Sequence, residues 1–293
     1  MVEVKLSREL EVLLRCPICF SPVKSLAELF KCQNNHEFPI VSGVPVFINE
    51  KNSIFLIEDF LKQKDTFYKL SEKTAIRDFF RKLIPDISKN YAVRKNHEDF
   101  LKNILAISNN PKVLVVGGSH LGQGLKTILE NKNVKLAEGD VSFGPRVQLI
   151  FDAHDIPFND ESFDGVIIQA VLEHVADPYR CVEEIYRVLK RGGIVYASTP
   201  FMQQVHGGPY DFTRFTFLGH RRLFRKFKEL NSGISGGPAM AYAWAYKYLL
   251  LSFSRSKICS RLLTGFAHFT AFFWKYFEEP ILSRQAIQRN IGR

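Results

Sequence analysis

The clearest pattern lies between residues 111 and 200, where short apolar runs alternate with amphipathic stretches. Val113-Leu114-Val115-Val116 reads as a buried strand, and the glycine-rich stretch 117–124 as a turn opening a helix. Val134-Lys135-Leu136-Ala137 predicts a second strand ending near Asp140, residues 147–151 a third and residues 163–169 a fourth. Asp177 is placed to cap a helix with Pro178 at its first position, running to residue 190. Gly192-Gly193 ends that helix, and residues 194–198 form a fifth strand stopped by Pro200. Such alternation predicts an α/β fold: an open parallel sheet with helices on both faces, binding its ligand at the carboxyl ends of the strands.

The flanks read differently. Residues 38–48 suggest a short hairpin with one apolar face. From 53 to 83 the spacing of Phe55, Phe60, Phe67, Leu70 and Phe79-Phe80 among charges is helical, broken by Pro85, and a second helix follows over 91–107. Beyond the sheet, Thr216 is placed to cap a helix carrying Arg221, Arg222, Arg225, Lys226 and Lys228. Two apolar, aromatic helices follow at 240–253 and 262–277, joined by Arg255, Lys257 and Arg261. These shifts divide the chain at 1–50, 51–110, 111–232 and 233–293.

Charge sharpens the division. The 293 residues hold 40 Lys+Arg and 30 Asp+Glu, and the whole excess of +10 falls within residues 200–293, with half of the aromatics. An anionic partner is therefore expected at the C-terminal third. Apolar runs edged by cations suit a membrane surface, whereas RNA would call for aromatics spaced along a basic groove. No stretch offers about 18 uninterrupted apolar residues for a simple span. The start shows no secretory signal, and five cysteines fit a reduced chain, so the expected location is cytoplasmic, with peripheral contact at the membrane face.

Three of those cysteines sit in Cys16-x2-Cys19-x12-Cys32-x3-His36. A Cys-x-x-Cys turn puts two thiolates on one side of a tetrahedral ion and the second pair closes it, so the expected ion is a structural zinc with no open position. At the strand ends, the glycine turn allows close backbone approach and exposes amides. Asp140 suits a ribose diol. Asp152 can accept from an adenine amino group while the Ala153 amide donates to a ring nitrogen. Beyond the fifth strand, residues 203–216 form a polar loop in which His206 is a candidate general base, with Tyr210, Asp211 and Arg214 shaping a pocket. The same Asp211 and Arg214 also read as an ion pair that merely fixes the loop.

Residues 111–200 resemble the class I S-adenosylmethionine-dependent methyltransferases. The resemblance is carried by Val-Leu-Val-Val-Gly-Gly (113–118), Asp-Ala-His-Asp-Ile-Pro-Phe (152–158), Glu-Ser-Phe-Asp-Gly-Val (161–166), Val-Leu-Glu-His-Val (171–175) and Arg-Val-Leu-Lys-Arg-Gly-Gly (187–193). It implies a Rossmann-like sheet holding S-adenosylmethionine on Gly117, Gly118, Ser119, Gly122, Asp140, Asp152 and Ala153, with Gln169 and Ala170 beside the sulfonium. His174 would pack near that cofactor. Two residues before the first glycine, where the family usually has an acid, stands Val115, and Ser119 interrupts the usual glycine spacing. The Cys-Pro-x-Cys…Cys-x3-His segment resembles the zinc finger of rRNA guanine-N1 methyltransferases, and its Phe-Pro-Ile-x-x-Gly-Val-Pro continuation resembles the small zinc-binding methyltransferase activators. The loop pattern His-x-Gly…Asp-Phe-x-Arg-Phe-Thr resembles methyltransferases of polysaccharide and lipid-linked glycan synthesis.

The expected function is methyl transfer to an apolar or lipid-linked small molecule near a membrane. An RNA methyltransferase using the knuckle as a clamp is the first rival. A non-catalytic scaffold on this fold, suggested by Val115, is the second.

Overall fold

The computed structural model describes residues 4–64, 66, 84–88, 90, 92–119, 122 and 124–277. Phe67, Leu70, Phe79 and Phe80 of the expected connector helix, and His120, Leu121 and Gln123 of the glycine turn, lie outside the described residues. The chain divides into two compact units: residues 1–70, 94–200 and 207–228 form the first, and residues 71–93, 201–206 and 229–293 the second.

Among the described residues, the first unit is built on nine strands: β1 (Val23–Ser25), β2 (Leu29–Cys32), β3 (Glu37–Val41), β4 (Val44–Phe47), β5 (Lys112–Val116), β6 (Lys135–Asp140), β7 (Leu149–Phe151), β8 (Phe163–Gln169) and β9 (Leu189–Ser198). They run in the order β1-β2-β3-β4-β7-β6-β5-β8-β9. From β4 to β9 all pairings are parallel, and β1 to β4 form an antiparallel meander. This is the expected Rossmann-like α/β sheet, and chain order reverses between β5 and β8, where β6 and β8 flank β5 on opposite sides.

Alternation along the central strands explains why both faces are covered. Leu114 and Val116 of β5 and Val166 and Ile168 of β8 enter one apolar cluster, while Val113, Val115 and Ile167 enter another. The helices of this unit are α1 (Arg8–Glu11), α2 (Ile57–Leu61), α3 (Val93–Ile107), α4 (Lys126–Leu129), α5 (Pro178–Val188) and α6 (Phe217–Leu223). Helix α3 brings Phe100 and Ile104 to the second cluster, and α5 brings Cys181, Val182, Ile185 and Val188 to the first. Asp177 caps α5 by accepting from the Arg180 amide at 3.1 Å, and Thr216 caps α6 by accepting from Gly219 at 3.1 Å.

Three local expectations change. The helix after the glycine turn is the single turn α4. Helix α5 stops at Val188, and the final strand begins at once at Leu189; Gly192 (φ 76°) lies within it, at a register shift against β8. The hairpin at 38–48 turns through Ser42 (φ 51°) and Gly43 (φ 76°), as a two-residue hairpin with both central residues at positive φ requires. Its second strand is buried along its whole length because it continues the main sheet, pairing Val46 with Ile150 and Phe47 with Phe151. The cysteine-bearing N-terminal module is thus joined to the central sheet by hydrogen bonds and shares its core: Cys16, Phe30, Cys32 and Phe38 pack in the cluster that holds Phe151 and Phe163.

In the second unit, α7 (Pro238–Ser252) and α8 (Lys257–Ala271) pack as a hairpin continued by a 3₁₀ segment, Phe272–Phe277. Thr270 donates to the Tyr246 hydroxyl at 3.2 Å, and Tyr242 meets Trp274 edge-on at 4.9 Å. Trp244 donates to Ser88 at 2.9 Å, and the His268 ring donates from Nδ1 to the Pro85 carbonyl at 2.9 Å.

Candidate functional site

A cleft opens at the carboxyl ends of the parallel strands, lined from β5, β6, β7 and β8 by Gly117, Ser119, Asp140, Asp152, Ala153 and Gln169 among others. It joins residues far apart in sequence because the parallel order brings each strand end to one edge. Gly117 has φ 86°, and a Cβ there would stand 2.4 Å from Val171, so both backbone and space demand glycine. Gly122 also lines the cleft, where an added Cβ would meet Gln169 Oε1 at 3.2 Å. Ala170, next to Gln169, takes φ 55°, a left-handed conformation uncommon outside glycine.

The turn does not present its first amides to the cleft, as the sequence suggests it would. Gly117 and Gly118 both donate to the Gly139 carbonyl, at 2.9 and 3.0 Å, and Ser119 donates to Asp140 Oδ2 at 2.9 Å. Close backbone approach is what the turn provides, while Gly118 packs against Glu138. Asp140 also accepts from the Ser142 amide at 3.0 Å. The Ser119 side chain and the Val141 amide add further hydrogen bonds to the same carboxylate. Burial raises the Asp140 carboxyl above its ordinary range, against those amide hydrogen bonds.

Asp152 is held from three sides. Ser53 donates to Oδ2 at 2.6 Å; the His154 amide donates to Oδ1 at 3.0 Å, and the His154 ring reaches the same oxygen from Nδ1 at 2.5 Å. The Asp177 amide donates to His154 Nε2 at 2.9 Å, so Nε2 lacks a proton and Nδ1 is the donor. Burial would raise the Asp152 carboxyl, but the His154 and Ser53 hydrogen bonds outweigh it and leave the group below its usual value. Asp155 accepts from Asn49 at 3.2 Å, Asn52 at 3.0 Å and Arg180 at 2.5 Å. The segment after β4 therefore braces the Asp-Ala-His-Asp turn, and Ile54 and Phe55 continue it into the cleft wall. Sequence reading missed Ser53, Asn49 and Asn52, which stand 99, 106 and 103 residues from their partners.

Cys16, Cys19, Cys32 and His36 come together, their ligand atoms all within 4.8 Å of one another. Sγ of Cys19 and Cys32 are 3.7 Å apart, and His36 Nδ1 lies 3.5 Å from Cys16 Sγ and 3.4 Å from Cys32 Sγ. A tetrahedral zinc with bonds of about 2.3 Å to sulfur and about 2.0 Å to nitrogen sets these separations near about 3.7 and 3.5 Å, so the donor set fits. The His36 amide donates to Cys32 Sγ at 3.3 Å. Arg15 ties the knuckle to the turn below the cleft, its amide donating to Pro157 at 3.0 Å and its guanidinium to Asp160 at 2.9 Å.

In the loop after β9, Arg214 grips Asp211 with two N–H groups, one of them 3.0 Å from Oδ2, and the Gly207 amide donates to Asp211 at 3.1 Å. This pair holds the loop in shape, and Asp211 raises the Arg214 guanidinium further above its already high value. The Tyr210 ring packs 5.4 Å from Phe55. His206 falls in the second unit, exposed, with its ring Nδ1 3.1 Å from the Gln204 carbonyl. Glu173, unmarked by any spacing, is fully buried beside His174, which lines the cleft.

Residues 126–197 match the methyltransferase domain family. An uncharacterised protein of Methanocaldococcus jannaschii is 49% identical over 90 residues, 28% of this chain and 44% of the relative. The demethylmenaquinone methyltransferase of Clavibacter sepedonicus is 44% identical over 70 residues, 22% of this chain and 28% of that enzyme. The phosphoethanolamine N-methyltransferase 2 of Haemonchus contortus is similar at 14% identity and a TM-score of 0.40, over 70% of this chain and 55% of that one. The chain spans less than half the length of these curated relatives. The parallel sheet is the Rossmann-like α/β fold, and within it residues 126–197 are similar to methyltransferase domains.

Proposed function

We propose that the protein transfers a methyl group from S-adenosylmethionine to an apolar small molecule, an isoprenoid-tailed hydroquinone being the acceptor best supported. The observation carrying this is the cleft itself: two buried aspartates on the strand ends face a wall of Phe55, Val141, Val171 and Val175. Asp140 would take the ribose diol, and Asp152 with Ala153 the adenine edge. Gly117, Gly118, Ser119 and Gly122 would give the methionine end close passage, with Gln169 and Ala170 beside the sulfonium. Bound there, the cofactor supplies an electrophilic methyl group, which is served mainly by orientation and exclusion of water. Tyr210, Asp211 and Arg214 belong to the stretch that would receive the acceptor. A hydroquinone is suggested by the demethylmenaquinone methyltransferase among the relatives. Cys16, Cys19, Cys32 and His36 would hold a structural zinc.

The second unit supports delivery from an anionic membrane surface. In a water-soluble hairpin the large apolar side chains face inward, but here Ala243, Ala267 and Ala271 are the fully buried ones. Phe253 is 77% exposed, Ile258 71% and Leu262 70%, next to the exposed cations Arg255, Lys257 and Arg261. No acidic residue occurs from 230 to 277. Among the described residues no helix is long and apolar enough to cross a membrane, so the contact would be peripheral.

The deciding experiment incubates the protein with methyl-labelled S-adenosylmethionine and lipid, RNA or protein fractions, with demethylmenaquinol as a defined acceptor. Label is expected in the lipid fraction and in the quinol. Label confined to RNA would establish the rival RNA reading. Absence of cofactor binding by calorimetry would leave only a scaffold.

A further inference from the structure

Glu173 and His174 follow β8. His174 lines the cleft, and its Nδ1 lies 2.7 Å from the Tyr210 carbonyl oxygen. A carbonyl only accepts, so Nδ1 carries the proton and the basic lone pair of the neutral ring is on Nε2. The loop closes over the ring: a Cβ at Gly207 would stand 2.5 Å from Nδ1 and 2.6 Å from Cε1. Two amides of the same loop, Phe212 and Thr213, donate to the Glu173 carbonyl at 2.8 and 3.1 Å. The ring is thereby held in one tautomer and one orientation.

Nε2 points toward a carboxyl, with Glu173 Oε1 at 3.8 Å. That side chain is 0% exposed, and neither of its oxygens has a hydrogen-bond partner. Burying a carboxyl without partners opposes folding, so its retention beside a basic nitrogen at the cleft wall has a functional reading. Within the first unit, the other charged groups acting on it are Asp211 and Arg214, which are paired with each other.

We propose that His174 is the proton acceptor of the methyl transfer, and that Glu173 is the positioning residue that stabilises the imidazolium it becomes. This inference rests on the proposed function. The hydroquinone hydroxyl gives its proton to His174 Nε2, and the electron pair of the O–H bond stays with the acceptor. The activated ring carbon forms a bond to the methyl carbon while the methyl–sulfur bond breaks, its pair remaining on sulfur as a neutral thioether. The ring proton displaced by the methyl group leaves to solvent and its electron pair restores the aromatic ring. The imidazolium returns its proton to the oxygen.

Burial holds the Glu173 carboxyl up at about 7, a rise opposed by Arg214 and reinforced by Asp211. Above that pH the carboxylate is available to the imidazolium, and below it the pair is weakened.

The test measures methyl transfer to demethylmenaquinol by wild type, H174Q and E173Q over a range of pH. Calorimetric cofactor affinity and thermal unfolding are recorded for each, and the His174 ring is titrated by NMR in wild type and E173Q. H174Q is expected to lower kcat about 100-fold with cofactor affinity and unfolding temperature retained. E173Q should lower kcat about tenfold, leave KM unchanged and move the acid limb to lower pH, as its His174 ring titrates at lower pH. Unimpaired kcat in H174Q overturns the proposal. An unchanged His174 titration in E173Q removes Glu173 from it. A wild type that methylates no fraction overturns the proposed function instead, and the NMR titration still reports on the pair.

Discussion

Glu173 is a carboxyl sealed inside the first unit, and its burial fixes the sign of a pH effect on stability. In the unfolded chain it ionises near its ordinary value of 4.5, whereas in the folded protein desolvation holds it protonated up to about 7. Its contribution is therefore fully present below 4.5 and is lost as pH rises through about 7, levelling off above. The gap corresponds to about 3 kcal/mol. Urea unfolding of wild type and E173Q across that window should show the variant gaining stability relative to wild type by about this amount, and a constant difference would disprove the burial argument. At this scale the sequence was partly legible. Asp140 and Asp152 were marked by their distance from apolar strand runs, as was Gly117 by its place after the first. Glu173 was not, because nothing in Val-Leu-Glu-His-Val distinguishes a buried glutamate from a solvated one. Ser53 was equally silent, since its partner is 99 residues away.

Among the elements, β4 has the widest reach. Its antiparallel side closes the metal knuckle, its parallel side extends the sheet at β7, and the segment after it donates to Asp152 and Asp155. The proposed metal and cofactor sites are thus linked through one short strand and the loop that follows. A hydrogen bond to a charged group contributes about 1.5–3 kcal/mol, so S53A should weaken cofactor binding by roughly tenfold or more. Removing the metal from wild type by chelation should also weaken it, without loss of far-ultraviolet circular dichroism from the main sheet, because the knuckle's core is shared with that sheet. Calorimetry with and without chelator is the measurement, and equal affinities would uncouple the sites. The five central strands and α5 were legible from period and capping. The parallel pairing of β4 was not: an apolar run announces a strand but not its neighbour, and only the burial of all four of its residues reveals one on each side.

For the molecule as a whole, the charge excess and the exposed apolar surface need one explanation. Five cations stand at the C-terminal end of the first unit, at Arg221, Arg222, Arg225, Lys226 and Lys228, and more lie in the hairpin of the second. Electrostatic attraction alone would weaken steeply with salt; insertion of Phe253 and Ile258 below the headgroups would persist. The two contributions can be separated with full-length protein. Wild type should float with vesicles containing phosphatidylserine and much less with phosphatidylcholine alone, and raised salt should reduce flotation without abolishing it. The double variant Phe253→Glu, Ile258→Glu changes side chains that are 77% and 71% exposed, so folding should be kept, while the inserted area is lost and two charges oppose the bilayer. Its flotation should vanish at raised salt, with cofactor affinity unaltered. If it floats as well as wild type, the hairpin does not insert; a matching shift in sedimentation from dimer to monomer would then assign those side chains to a second copy of the chain.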